Sequence, residues 1–406
     1  MSHINTPVQG AREYYPLNVP EIGTLMEGEQ PILFQPLEIK GVTFKNRIFV
    51  SPMCQYSSSD GHATDWHLVH IGGFATRGVG AICIEATSVV PEGRISPEDA
   101  GLWQDSQMAP LKRIVEFAHG QGAKIGIQLA HAGRKATTYA PWVKDRTAGT
   151  SWVAQEDENG WPNNVYAPSA MRFSEAGPHP KAMTEEDIKY IEDAFVAAAE
   201  RCKQIGFDFI EVHGAHGYLI HEFVSPLSNT RTDQYGGTLE NRLRFPTRLL
   251  QRIREVWSDK PLFVRISASD WAEGPEKGDD GTWLQWGVEQ SNIWVDKMLN
   301  LGVVDLLDCS SGGNWSHQKI TVGPGYQVPL AEAIKKAHLS LIVGAVGAIT
   351  DPKVAESYLK DGKADVIFLA RELMRNPHWS LTAAKELGCR VKAANQYERA
   401  WYRPLI

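Results

Sequence analysis

The sequence lacks several features that mark common classes of protein. It has no apolar run long enough to cross a bilayer and no basic-then-apolar start of a secretion signal. Its five cysteines are an odd number without a Cys-x-x-Cys pair, so free thiols fit better than a disulfide framework. Lys and Arg total 41 against 48 Asp and Glu, a net charge of −7, which lacks the basic excess of nucleic-acid or anionic-membrane binders. We therefore expect a soluble, cytoplasmic protein with no nucleic-acid and no membrane partner.

What the sequence does contain is a repeated pattern of short apolar stretches, each followed by a helical pattern. Near-continuous apolar strands that alternate with helices indicate a parallel sheet buried on both faces. Eight such units predict an α/β fold, a (β/α)8 TIM barrel. A doubly wound sheet is the alternative, but no Gly-x-Gly-x-x-Gly motif opens the chain. The predicted strands are 47–53, 80–86, 124–129, 207–212, 261–267, 303–309, 341–346 and 364–370.

The domain organisation predicted from this pattern is one barrel with additions. Residues 1–29 form an N-terminal arm, 30–390 the barrel with a β-hairpin cap at its start, and 391–406 a C-terminal tail. Residues 136–182 are an insertion rich in Trp, Pro, Asn and Gly. A segment of that length with no clear period is typical of a functional loop or lid.

The strongest functional signal is His213-Gly-Ala-His216-Gly-Tyr218, directly after the fourth strand. Ligands bind at the carboxyl ends of parallel strands, where imidazoles can hydrogen-bond a ligand oxygen and a phenol can donate a proton. Structural histidines are the simpler alternative. A metal site is a second alternative, but no third ligand stands nearby at a recognisable spacing. We favour a catalytic site without a metal.

Other strand ends also carry polar residues. Gly344 to Gly347 and Arg371 follow strands seven and eight, where barrels commonly bind phosphate; simple turn chemistry is the alternative. Arg265 lies on strand five and predicts a negatively polarised ligand, or a salt bridge to Asp270 or Glu211. Gln128 on strand three suits a heterocycle with donors and acceptors. The residues alone thus predict a barrel enzyme for a phosphate-bearing ligand and do not identify that ligand.

In combination, these motifs resemble the Old Yellow Enzyme family of FMN-dependent ene-reductases, in particular its thermophilic-like class with a cysteine after the first strand. The resemblance runs in order through nearly all of residues 30–401. The matching stretches are SPMCQYSSSDG (51–61), IQLAHAGRK (127–135), HGAHGYLIHEFVSPLSNTRTDQYGG (213–237), ENRLRF (240–245), RISASDW (265–271), DLLDCSSGG (305–313), VGAVGAIT (343–350), FLARELMRNP (368–377) and QYERAW (396–401).

The resemblance implies a site for FMN and for an α,β-unsaturated carbonyl compound, an activated alkene. His213 and His216 would bind the carbonyl oxygen and Tyr218 would protonate the alkene, with NADPH or NADH reducing the flavin. Tyr56, Lys135 and Arg399 would complete the substrate site. The residues implied for FMN are Ser51, Pro52, Met53, Cys54, Ala86, Gln128, Arg265, Ser311, Gly312, Gly313, Gly347, Ala370 and Arg371.

The resemblance also implies a homodimer or homotetramer, because Gln396–Trp401 is similar to a tail that reaches a neighbouring subunit's site through Arg399. One departure is Ala370, where the family commonly has glycine before the phosphate arginine. Two other functions compete with this prediction. One is a flavin-free barrel lyase or isomerase acting on a phosphorylated substrate, and the other is a non-catalytic flavin-binding protein.

Overall fold

The computed structural model describes residues 18–143 and 151–402, and its centre is a closed barrel of eight parallel strands. Their order around the barrel follows the chain, β4-β5-β6-β9-β10-β11-β12-β13, with β13 pairing back onto β4. The predicted barrel is therefore confirmed, and each predicted strand is present with ends close to those expected. The strands are β1 (Leu25–Gly28), β2 (Leu37–Ile39), β3 (Val42–Phe44), β4 (Ile48–Val50), β5 (Ala81–Ser88), β6 (Lys124–Ala130), β7 (Tyr166–Ala167), β8 (Lys181–Ala182), β9 (Phe209–Gly214), β10 (Leu262–Ser267), β11 (Leu306–Ser310), β12 (Ile342–Ala345), β13 (Val366–Leu369) and β14 (Cys389–Val391).

Helices cover the outside of the barrel. The longest helix begins with a capping box at Thr184. The Thr184 side chain accepts from the Asp187 amide at 3.1 Å, and the Asp187 carboxylate accepts from the Thr184 amide at 2.8 Å. The helices are α1 (Asp65–Ala75), α2 (Met108–Gly120), α3 (Glu185–Ile205), α4 (Leu219–Val224), α5 (Leu239–Val256), α6 (Val288–Asn300), α7 (Val328–Ala337), α8 (Pro352–Lys360), α9 (Arg371–Arg375), α10 (Trp379–Glu386) and α11 (Glu398–Tyr402). Short 3₁₀ helices occupy Ile32–Phe34, Pro91–Gly93, Asp105–Gln107, Gly133–Lys135 and Glu156–Glu158.

The alternation of side chains along each barrel strand separates two cores. On β9, Ile210 and Val212 face outwards and pack in the cluster that contains the buried faces of the helices. Phe209, the residue before Ile210, belongs to a second cluster inside the barrel. Every barrel strand is therefore apolar on its outer face, while its inner face is free to carry polar residues where a ligand site requires them.

The predicted hairpin, β2 and β3 around Lys40-Gly41, closes the amino-terminal end of the barrel. Phe44 of this hairpin packs against Phe49 at 4.9 Å between ring centroids. Phe209 and Phe263 stack beside them at 4.5 Å. Because this end is sealed by aromatic side chains, a ligand can approach the strands only from the opposite, carboxyl-terminal end.

Two features of the fold have no counterpart in the sequence prediction. Residues of the N-terminal arm form β1, which pairs antiparallel with β14 next to the C-terminal tail. Helix α4 begins immediately after Tyr218, in a stretch whose pattern we assigned to no element. The predicted arm, insertion and tail include residues 1–17, 144–150 and 403–406, which lie outside the described residues.

Candidate active site

The predicted catalytic side chains lie together where β9 ends. The rings of His213 and His216 are 5.2 Å apart and those of His213 and Tyr218 are 5.1 Å apart. His213 is the middle member of this row and is buried, and its Nδ1 has no hydrogen-bond partner among the described residues. His216 Nε2 lies 2.7 Å from the Ser310 hydroxyl of β11. The strand, and the turn after it, thus bring two imidazoles and a phenol to one place.

Both imidazoles are neutral at physiological pH. Burial lowers the pKa of His213 and of His216 well below the ordinary value, and the positive charge of Arg265 lowers both further. A neutral imidazole still carries one N–H donor. The pair can therefore hydrogen-bond a carbonyl oxygen without adding charge to the site.

A layer of charged residues lies below this row inside the barrel. Arg265 Nε lies 3.2 Å from Asp308 Oδ2, a close ion pair without a straight hydrogen bond. Asp308 of β11 therefore provides the counter-charge, rather than Asp270 or Glu211, the two alternatives named from the sequence. Gln128 donates to Glu211 Oε1 at 2.7 Å, so its amide is held by a side chain.

The two buried carboxyl groups of this layer hold protons more tightly than usual. Burial, together with the nearby Asp308, raises the pKa of Glu211 to about 8, although Arg265 opposes the shift. Burial raises the pKa of Asp308 to about 6. One cation beside two carboxyl groups then forms a nearly neutral layer when Glu211 keeps its proton. Uncompensated charge in this position would be costly.

A cavity of about 350 Å³ opens at the ends of β10 to β13. Its size lies at the lower end of the roughly 300–1,000 Å³ typical of small-molecule sites. Five of the predicted site residues line it: His216, Arg265, Gly347, Ala370 and Arg371. The lining residues that sequence reasoning missed are Ser310, Tyr326, Gln327, Val346, Ala348, Ile349, Thr350, Phe368, Leu369, Glu372 and Arg375.

The residues around this cavity fit FMN. Arg371 and Arg375 stand at its outer end on α9, and Arg265 stands at the inner end. Gly347 has φ +127°, a conformation open to glycine, and a Cβ there would lie 3.0 Å from Gln327 Nε2. Ala370 has φ −113°, a negative value that does not require glycine. Cations at both ends suit a ligand with a terminal phosphate and an electron-rich ring.

The predicted FMN-binding residues Ser311 to Gly313 do not line this cavity directly. Ser311 Oγ donates to Gln327 Oε1 at 2.6 Å, and the Gly313 amide donates to Gln318 at 2.7 Å. Gln327 is a lining residue, so Ser311 acts on the cavity through that side chain. Gly312 and Gly313 have φ +71° and +89°.

The segment after β4, Ser51 to Tyr56, does not line this cavity. Glu85 of β5 accepts from the Gln55 amide at 2.5 Å and pairs with buried His67 at 2.9 Å, which fixes the segment. Ser51 Oγ is buried and lacks a hydrogen-bond partner among the described residues, while Cys54 is half-buried. Burial, with Asp99 and Glu85 nearby, raises the pKa of the Cys54 thiol, so it stays protonated. Pro52 and Met53 lie between them, and Ala86 pairs with Gln128 across β5 and β6.

A second cavity, of about 130 Å³, lies on the other side of the histidine row. Tyr56, Lys135 and Tyr218 line it together with residues of the insertion, including Trp152 and Phe173. The Lys135 ammonium lies 4.1 Å from the Phe173 ring centroid and donates to the carbonyl of His216 at 2.8 Å and to that of Gly313. The insertion thus forms part of the predicted substrate mouth.

The described chain does not bring the predicted site residue Arg399 to either cavity. It is exposed on α11, whose Trp401 ring packs 5.6 Å from His378. Its predicted role in a neighbouring subunit stays a prediction.

Within residues 18–143 and 151–402, no group of three or more His, Cys, Asp or Glu side chains is arranged to hold a metal ion. The same ranges contain no helix long and apolar enough to span a membrane. All five cysteines are free thiols.

Comparison with known proteins identifies the family. Residues 32–389 match the NADH:flavin oxidoreductase / NADH oxidase family. The chain belongs to this family. An NADH:flavin oxidoreductase of Gibberella zeae is 47% identical over 400 residues, which cover 97% of this chain and 95% of that protein. The NADPH dehydrogenase of Bacillus subtilis is 45% identical over 372 residues, 91% of this chain and 99% of that protein.

Among solved structures, morphinone reductase has the same fold, with a TM-score of 0.70 at 24% identity over 90% of this chain and 92% of that one. Together with the family match, these relatives confirm the predicted Old Yellow Enzyme family and an FMN- and NAD(P)H-dependent oxidoreductase. The flavin-free lyase alternative is therefore set aside. The position of Lys135 agrees, because its ammonium is engaged by two backbone carbonyls.

Proposed function

We propose that this flavin oxidoreductase is an ene-reductase, which reduces the C=C bond of α,β-unsaturated carbonyl compounds. The observation that carries the proposal is the position of the histidine row between the two cavities. His216 lines the larger cavity and Tyr218 lines the smaller one. The His213 ring lies about 5 Å from the rings of both His216 and Tyr218. A substrate in the smaller cavity would therefore meet the imidazoles and the phenol beside the cofactor.

In this proposal, FMN is bound in the larger cavity. Arg371 and the backbone around Gly347 would bind its phosphate. Arg265 and Gln128 would contact its ring, together with Ser51 to Cys54 and Ala86. Ser311 to Gly313 and Ala370 would provide the remaining contacts to FMN. When bound and reduced by NADPH or NADH, FMN would supply the hydride that the β-carbon of the alkene receives. Arg265 favours this chemistry, since a fixed positive charge stabilises negative charge that builds up in the ring.

The residues of the row would then act on the substrate. His213 and His216 donate N–H hydrogen bonds to the carbonyl oxygen, orient the molecule and draw electron density from the double bond. Tyr218 holds the proton that the α-carbon receives, so that one hydride and one proton complete the reduction. Tyr56, Lys135 and the insertion shape the mouth around the rest of the substrate. A homodimer or homotetramer, with Arg399 reaching a neighbouring mouth, belongs to the same proposal.

The test is Tyr218→Phe, measured separately in the two half-reactions. Loss of a general acid lowers a rate by roughly 10²–10⁴-fold, so reoxidation of the flavin by cyclohexenone should slow by that range. Flavin reduction by NADPH should stay within a few-fold of the wild type. Tyr235→Phe is the matched control, because Tyr235 is a buried tyrosine remote from both cavities that accepts a hydrogen bond from Arg248. Equal losses in both half-reactions would contradict the role of proton donor, and an inert wild type would contradict the proposed substrate class.

A further inference from the structure

The turn that carries His216 and Tyr218 has an unfavourable backbone conformation. His216 has φ +61° and Gly217 has φ +69°, two successive residues in the left-handed region. A residue other than glycine persists there only where its surroundings hold it, and such positions concentrate at functional sites. At Gly217 a Cβ would lie 2.2 Å from the Gly313 carbonyl oxygen, so only glycine fits. The turn therefore depends on the groups that bind its backbone.

One of these groups is the buried side chain of His221, on the first turns of α4. The Gly217 amide donates to His221 Nδ1 at 3.0 Å. Because Nδ1 is an acceptor, the ring proton of a neutral His221 must reside on Nε2. Nε2 lies 3.0 Å from Asp270 Oδ1, off the axis of a straight hydrogen bond, and neither atom has another partner among the described residues. Both side chains are fully buried.

Asp270 is itself held from two further directions. Its Oδ2 accepts from the Ser225 hydroxyl at 2.6 Å and from the Trp286 amide at 3.0 Å. Burial alone would raise the pKa of Asp270, but His221, Ser225 and the Trp286 amide outweigh it and lower this pKa. An ionised Asp270 keeps the ring proton of His221 on Nε2. Nδ1 thereby remains available to accept the Gly217 amide.

We propose that His221 and Asp270 are positioning residues that set the position of the Tyr218 phenol through the Gly217 amide. The inference rests on the proposed role of Tyr218 as proton donor. The chain of contacts runs from Asp270 through the ring of His221 to the peptide bond between His216 and Gly217, one residue before Tyr218. A comparable arrangement, in which a carboxylate fixes the tautomer of a histidine, controls the geometry of other active sites.

His216, the other residue of the turn, is held independently. Its amide donates to Ser267 Oγ at 2.9 Å, and its Nε2 lies 2.7 Å from the Ser310 hydroxyl. Loss of the His221 contact should therefore displace Tyr218 more than His216. We expect proton transfer to slow, whereas the affinity of His213 and His216 for an added phenol, used as a probe ligand, is largely preserved. A general loss of structure would lower both.

Two replacements of His221 separate its contacts. His221→Gln can still reach Asp270 but offers no acceptor at the position of Nδ1. His221→Asn places an acceptor near the Gly217 amide and is too short for Asp270. Because small misplacements of reacting groups are costly, the Gln variant should slow alkene-dependent flavin reoxidation roughly 10–100-fold, with flavin reduction within about twofold of the wild type. The Asn variant should retain more of the reoxidation rate than the Gln variant.

A second readout does not depend on turnover. Hydrogen–deuterium exchange of the peptide that covers residues 213–219 should accelerate in His221→Gln and less in His221→Asn. Asp270→Asn should also accelerate it, because an amide can turn its NH₂ group to the ring and move the ring proton to Nδ1. The matched control is His338→Asn, since His338 is a buried histidine beside Asp296 and Asn292 on the outer helices.

The outcomes of these experiments separate the inference about His221 from the proposed function. Wild-type exchange and wild-type reoxidation in His221→Gln would overturn the inference, as would equal slowing of both half-reactions or a similar effect of His338→Asn. If exchange accelerates in His221→Gln but the wild type reduces no activated alkene, His221 still stabilises the turn. That result would refute the proposed function and not the contact between His221 and Gly217. If His221→Gln does not fold, the exchange and half-reaction rates of Asp270→Asn decide the inference.

Discussion

At the hairpin end the inside of the barrel is aromatic, whereas two residues further along the same strands it is charged. Strand β9 presents Phe209 and then Glu211, and β10 presents Phe263 and then Arg265. On β11, Leu306 precedes Asp308. Both layers are almost completely buried, so the difference between them is one of chemistry and not of exposure.

The comparison shows which part of the interior serves stability and which serves the site. An apolar layer is stabilised by any apolar side chains that fill its volume, and it tolerates substitutions that preserve that volume. A charged layer is stable only while each charge has its counter-charge, so its stability depends on which residue occupies each position. The second layer lies under the histidine row, where a charged group next to a ligand can act on it.

The largest effect is expected from breaking the charged layer. Asp308→Ala removes the counter-charge 3.2 Å from Arg265 and leaves a buried guanidinium unpaired. Loss of one partner of a buried ion pair typically costs about 3–5 kcal/mol, and we expect the free energy of unfolding in urea to fall by that amount. A loss as small as that of a surface substitution would show that the layer is not held by this pair.

A smaller effect is expected in the aromatic layer. Phe209→Leu preserves the apolar character and removes the ring that stacks on Phe263 at 4.5 Å. Aromatic pairs contribute about 0.5–1.5 kcal/mol beyond burial, so the variant should lose roughly 1–2 kcal/mol in the same urea titration. If it lost more than Asp308→Ala, the proposed difference between the two layers would be wrong.

The effect expected from Glu211→Gln depends on pH and is close to zero at low pH. The folded pKa of Glu211 is about 8, above the roughly 4.3 of an unfolded glutamate. The stability that this carboxyl contributes is full below pH ~4.3 and is lost as the pH rises to 8, because the unfolded chain releases the proton first. Relative to the wild type, the variant should become progressively more stable between pH 5 and pH 8. Parallel melting-temperature curves for the two proteins over this range would exclude a raised pKa.

The sequence was sufficient where a signal is local. The eight strands follow from apolar runs, and the Thr184 cap follows from four adjacent residues. Arg265 was recognised as a buried cation, but its partner was not, because Asp308 lies on the next strand and the pair depends on register. The same holds for Gln327, which joins Ser311 to the larger cavity through a contact that no sequence spacing encodes.

By itself, the sequence determined the barrel, the family and the row formed by His213, His216 and Tyr218, because hydrophobic periodicity and contiguous motifs are properties of neighbouring residues. Only the tertiary structure decided that Asp308 neutralises Arg265, that β1 pairs with β14, and that His221 and Asp270 lie beneath the turn before Tyr218. These contacts join residues far apart in the chain. Closure of the barrel fixes the register of every strand at once, and that register determines which side chains meet.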